Sequence, residues 1–165
     1  VTRSAASARY HPWATFATAR ELARRRGDAR VSTEHLLVAL LDHDEVARAL
    51  GVTRARAVAA LDAVDADALG AVGIVIRTPV PLQPARTPAH RPITSTLADR
   101  LPMTPAAKAV LRDAGRPRRR GGHVTACDLA RALLDVGEPD PCAHLLVHLD
   151  VDAARARSRL AVAAA

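Results

Sequence analysis

The feature that most constrains this chain is an approximate internal repeat. "RVSTEHLLVALLD" at residues 30–42 returns, without a gap, as "HVTACDLARALLD" at residues 123–135. The apolar frame is the same in both. The polar tip is not: Ala126 stands where the first copy has Thr33, and Cys127 where it has Glu34. A second match follows, "LGVTRARAVAAL" from Leu50 against "LDVDAARARSRL" from Leu149. Self-similarity over such a distance means that one helical unit is used twice, each copy covering the apolar face of the other.

The spacing of apolar residues inside each copy is helical. "PWATFATARELARRR" opens with Pro12 at a first helical position, and Gly27 stops it. Ser32 caps the next helix and puts Thr33, Glu34 and His35 in its first turn, with Leu36, Leu37, Leu40 and Leu41 as its buried stripe. "DEVARALGV" is a short third helix, and "TRARAVAALDAV", capped by Thr53, is a fourth. Beyond Ala66 the pattern weakens to a small helix and an extended piece. Residues 77–102 carry six prolines and no period. The second copy restarts at Met103, with Thr104 as cap and Pro105 as first helical residue. "GEPDP" at residues 137–141 reads as an insertion. The expected fold is all-α: two pseudo-two-fold-related four-helix repeats, at 8–72 and 103–162, joined by a long Pro-rich linker at 73–102, all within one domain of residues 1–165.

Composition fits closely packed helices. Apolar residues are 49% of the 165, yet aromatics are only 2%: Tyr10, Trp13 and Phe16. The charge is +7, and all basic residues but Lys108 are arginine. The clusters Arg24–Arg26 and Arg116–Arg120 occupy equivalent turns, as solvated helix ends or as a basic patch for acidic partners. Cys127 and Cys142 form no C-x-x-C pair, which points to free thiols in a reducing compartment. No apolar run approaches a membrane span. A cytoplasmic monomer with no membrane contact is the expectation.

The helix ending in a basic, glycine-bounded turn, then "VSTEHLLVALL", "LGV" and, after the linker, "MTPAAKAVL", resembles the Clp N-terminal (repeat) domain. That domain precedes the ATPase rings of ClpC-type AAA+ unfoldases and also occurs as stand-alone proteins. The resemblance covers residues 8–162. It implies a compact, non-catalytic helical module with no cofactor. Its partners would be protein substrates, adaptors, tagged peptides and Clp unfoldase or protease components. In ClpC-type domains the acid of each T-E-H motif helps hold phosphoarginine at a helix start. Here Thr33 and Glu34 keep the motif beside Ser32 and His35. In the second copy Cys127 replaces the acid and Asp128 stands one place late, a rotation of about 100° on a helix. One site is expected, not two. Cyclic-peptide antibiotics are a further ligand class of such domains. The matching positions are near Ala5 and at Met103, neither aromatic, with Lys108 retained and Arg112 where an acid is expected.

Other chemistries compete with this one. Glu34 equally serves as an N-terminal helix acid, worth about 0.3–1 kcal/mol. His144 and His148, and His123 and Cys127, have the i, i+4 spacing of paired metal ligands, but no acid completes an H-E-x-x-H around the first pair, each pair alone is a weak signal, and no metal is expected. There is no phosphate-binding G-x-x-x-x-G-K-[ST] and no G-x-S-x-G. Nucleic-acid or acidic-partner binding through the arginine clusters is the alternative function. A thiol enzyme is the third, with Cys127 at a helix start and its pKa lowered there.

Overall fold

A computed structural model describes residues 10–74, 101–115 and 124–163. Among them are eight helices and no strand: α1 (Pro12–Arg26), α2 (Thr33–Leu40), α3 (Asp44–Leu50), α4 (Arg54–Ala71), α5 (Pro105–Ala114), α6 (Ala126–Leu134), α7 (Pro141–His148) and α8 (Ala153–Ala163). Most of the proline-rich stretch, the Arg116–Arg120 cluster, Ala5 and His123 lie outside the described residues.

Local chemistry sets most of the ends. Pro12, Pro105 and Pro141 stand at the first turns of their helices, where a missing N–H costs nothing. Thr53, Thr104, Thr125 and Asp140 each accept a backbone N–H with the side chain. Gly27 and Gly51 close α1 and α3 in the left-handed region, with φ of 79° and 70°. Asp150 closes α7 in the same region at φ 55°, the one non-glycine among the described residues to do so. Val52 N donates to Ala47 O, and Val151 N donates to Leu146 O, the same bond after each left-handed residue.

The core is built around α2. Seven of its eight residues are buried: Thr33, His35 and the run Leu36 to Leu40. Helices α1, α4, α5, α6 and α7 all pack on it. Helix α6 is the second buried element, presenting Leu129, Ala130, Leu133 and Leu134 to α2, α3, α5 and α8. Helices α3 and α8 meet, as do α4 and α7, so the helices before and after the proline-rich stretch share one apolar cluster.

One feature departs from the sequence reading. Helix α4 continues to Ala71 instead of breaking near Ala66. Just before the extension, α4 is tied to α1 by Arg26, whose guanidinium holds both Asp62 and Asp65. The end of the proline-rich stretch joins the fold: Val31 N donates to Pro102 O at 2.9 Å and Thr104 N to Val31 O at 2.8 Å, an isolated parallel bridge between Val31 and Met103.

Truncating Leu36→Ala, fully buried in α2, is expected to cost about 2–5 kcal/mol in urea unfolding. Asp150→Gly is expected to raise stability by about 1 kcal/mol in the same assay, because glycine adopts this φ without the Cβ clash.

Candidate functional site

The polar residues expected to carry function gather at the start of α2, with partners from two distant segments. Ser32 N donates to His35 Nδ1 at 3.2 Å, so His35 fills the place of the usual Glu or Gln of a capping box. The other ring nitrogen, Nε2, lies 2.8 Å from Asp28 Oδ2 in the turn between α1 and α2. Ser32 Oγ donates to Glu34 Oε1 and lies 2.7 Å from His35 Nδ1. Thr33 Oγ1 donates to Asp140 Oδ1, the oxygen that also accepts Cys142 N at 2.9 Å to cap α7. His35 is 2% exposed and Thr33 is fully buried, so both side chains depend on protein partners.

Glu34 is different. Its side chain is 14% exposed, and its Oε2 is buried without a hydrogen-bond partner among the described residues. It sits in the first turn, where the helix dipole favours a negative charge.

Met103 is brought beside this site by the bridge to Val31, the residue before Ser32. Lys108 and Arg112 are exposed on α5. Cys127 and Asp128 lie at the start of α6, the counterpart of α2. There the capping box is local: Thr125 N donates to Asp128 Oδ2 at 3.1 Å, and Asp128 N to Thr125 Oγ1 at 3.2 Å. Asp128 therefore takes the capping position of His35, not the position of Glu34.

Cys127 is buried, and its thiol is not activated. Burial raises its pKa first, the Glu45 carboxylate adds to the rise, and Arg131 only offsets it. The helix start does not lower it as a thiol enzyme requires. Cys142 is buried too, and burial pushes its thiol up strongly. The Arg24–Arg26 cluster is likewise not a free patch: Arg25 pairs with Glu21, and Arg26 holds Asp28, Asp62 and Asp65. Among the described residues no group of three or more His, Cys, Asp or Glu is placed to hold a metal.

A groove of about 400 Å³ runs between α3 and α8, from the two halves of the chain, along Arg48, Ala49, Arg159 and Val162. A larger one, about 630 Å³, lies between α5 and α6, with Ala106, Val110, Asp113, Asp128 and Arg131 in its walls. Neither reaches Glu34.

Asp28 and Asp140 were not singled out by sequence. Asp28 carried a signal, since it sits in the short link just before the Ser32 cap. Asp140 carried one only as the cap of α7.

An all-helical chain whose polar centre is a capped helix start, with no activated thiol among the described residues, has the architecture of a protein-interaction module. It belongs to the Clp repeat (R) N-terminal domain family, whose model matches residues 11–126, from α1 to the first residue of α6. That makes it a Clp-associated interaction module, in a family of non-catalytic substrate- and adaptor-binding domains. No curated protein matches the chain. No helix among the described residues is long and apolar enough to cross a membrane.

A thiol-directed reagent is expected to leave Cys127 and Cys142 unlabelled in the native protein near neutral pH and to label both in urea. The raised thiol pKa values also set a sign. Stability they contribute is complete below the ordinary thiol value of 9.0 and is lost as pH rises above it. Cys142→Ala is expected to flatten that alkaline decline in unfolding measured against pH.

Proposed function

We propose that the chain is a binding module for protein substrates, adaptors or arginine-tagged peptides of a Clp-type protease, with the ligand's guanidinium meeting Glu34. The observation that carries this reading is the buried Oε2 of Glu34 on the first turn of α2, which has no hydrogen-bond partner among the described residues. A buried carboxylate oxygen without a donor is costly. A guanidinium supplies two parallel donors to a carboxylate, and amides at a helix start favour an attached phosphate. Phosphoarginine has both groups. Ser32, Thr33 and His35 frame the site, and Met103, Lys108 and Arg112 form the flank on which a cyclic peptide would rest. Cys127 and Asp128 leave the α6 start without an equivalent acid, so the module has one such site.

The same reading takes the helices as two four-helix repeats joined by the proline-rich linker. Exchanging each helix for the one four places on supports it. The contact α1 with α2 becomes α5 with α6, α2 with α4 becomes α6 with α8, α2 with α7 becomes α6 with α3, and α3 with α8 becomes α7 with α4, each of which is present. The module works as a cytoplasmic monomer, delivering cargo to the protease or sequestering a ligand from it. Nucleic-acid binding is disfavoured by the engagement of Arg26, Arg54 and Arg157 with aspartates.

Calorimetry with a phosphoarginine peptide tests the proposal. Wild type is expected to bind, and Glu34→Gln to weaken binding at least tenfold, about 1.4 kcal/mol. Equal affinity of the two proteins, or no retention of the peptide by wild type, sinks it. Capture of a Clp unfoldase separates delivery from sequestration.

A further inference from the structure

Ser32 Oγ stands between two acceptors. It donates to Glu34 Oε1, and His35 Nδ1 is 2.7 Å away. On the far side of the ring, Nε2 faces Asp28 Oδ2, a carboxylate that only accepts, so Nε2 carries a hydrogen whether the ring is neutral or charged. The proton that comes and goes is therefore the one on Nδ1.

A hydroxyl has one hydrogen to give. With Nδ1 bare, that hydrogen has a choice, and turning it to Nδ1 frees the Glu34 carboxylate. With Nδ1 protonated, the ring gives up the hydrogen bond it accepts from Ser32 N and donates to Ser32 Oγ instead, and the hydroxyl hydrogen is committed to Glu34 Oε1. The imidazolium also places positive charge 3.6 Å from that oxygen, where it opposes an incoming cation.

We propose that protonation of His35, relayed by the Ser32 hydroxyl, closes the Glu34 carboxylate to guanidinium ligands. This rests on Glu34 being the ligand-binding acid. His35 is then a positioning residue, acting through Ser32. The charged groups around the ring fit this role. Asp28 shares its charge with Arg26 of α1, 3.4 Å away, and Arg26 is in turn held by Asp62 and Asp65 of α4. From α7, Asp140 is occupied by Thr33 and Cys142 N, and the buried Cys142 thiol stays neutral.

The test uses the whole chain, with the histidine ring and glutamate carboxyl carbons isotope-labelled for NMR, from about pH 5.5 to 8. In wild type the Glu34 carboxyl signal is expected to step at the midpoint of the His35 ring. Ser32→Ala and His35→Gln are expected to remove the step. Glutamine preserves the capping box, so the second variant keeps the fold. In parallel, the ratio of wild-type to H35Q Kd for a phosphoarginine peptide cancels the ligand's own titration. That ratio is expected to rise at least threefold from the high to the low end of the range. A Glu34 signal that passes the His35 midpoint unmoved overturns the relay. A step with a flat Kd ratio overturns its link to binding. A step with no peptide bound upholds the relay and removes the reading of Glu34 as the ligand acid.

Discussion

Helix α2 has almost no surface left for water, and this burial governs the rest of the molecule. A short helix packed by five others gains apolar stabilisation on every side. Its first turn must then satisfy its polar groups from protein alone, at a cost of about 1–3 kcal/mol for each left unmet. The chain answers with donors and acceptors from far away: Asp28 from the preceding turn, Asp140 from the start of α7, and the Val31–Met103 bridge from the start of α5. Interior packing and the polar centre are thus one problem with one solution. Among the described residues, Glu34 is the member of that first turn left incompletely paired.

The two helix starts show how the same frame supports different outcomes. At α6, Thr125 and Asp128 close the end between themselves, and Cys127 is an ordinary buried thiol. At α2, a histidine takes the capping position and needs Asp28 to hold its other nitrogen. Replacing one local carboxylate by a ring with two polar ends turned a self-contained cap into a network.

Much of this was legible in the sequence, because the signals were local. The prolines at first turns, the threonine caps and the stop glycines Gly27 and Gly51 mark helix ends without any knowledge of the fold. What was not legible depended on distance. Arg26, from α1, reaches Asp62 and Asp65 on α4, 36 and 39 positions away. The same ion pairs withdraw Arg26 from the basic cluster that composition suggested. Thr33 and Asp140 are 107 positions apart, and no periodicity announces such a pair. The thiol of Cys127 departs from its expected reactivity for a related reason: a helix start lowers a pKa, but burial beside Glu45 outweighs it.

Asp140 gives one oxygen to both Thr33 and the backbone of Cys142. A ribosome delivers the chain from its N-terminus, so α2 emerges long before the residue that completes its first turn. Until α7 follows, α2 lacks the last of its packing partners and the acceptor of the Thr33 hydroxyl. The face of α2 that α7 covers, and the Thr33 hydroxyl, therefore find their partners only when the second half of the chain is in place.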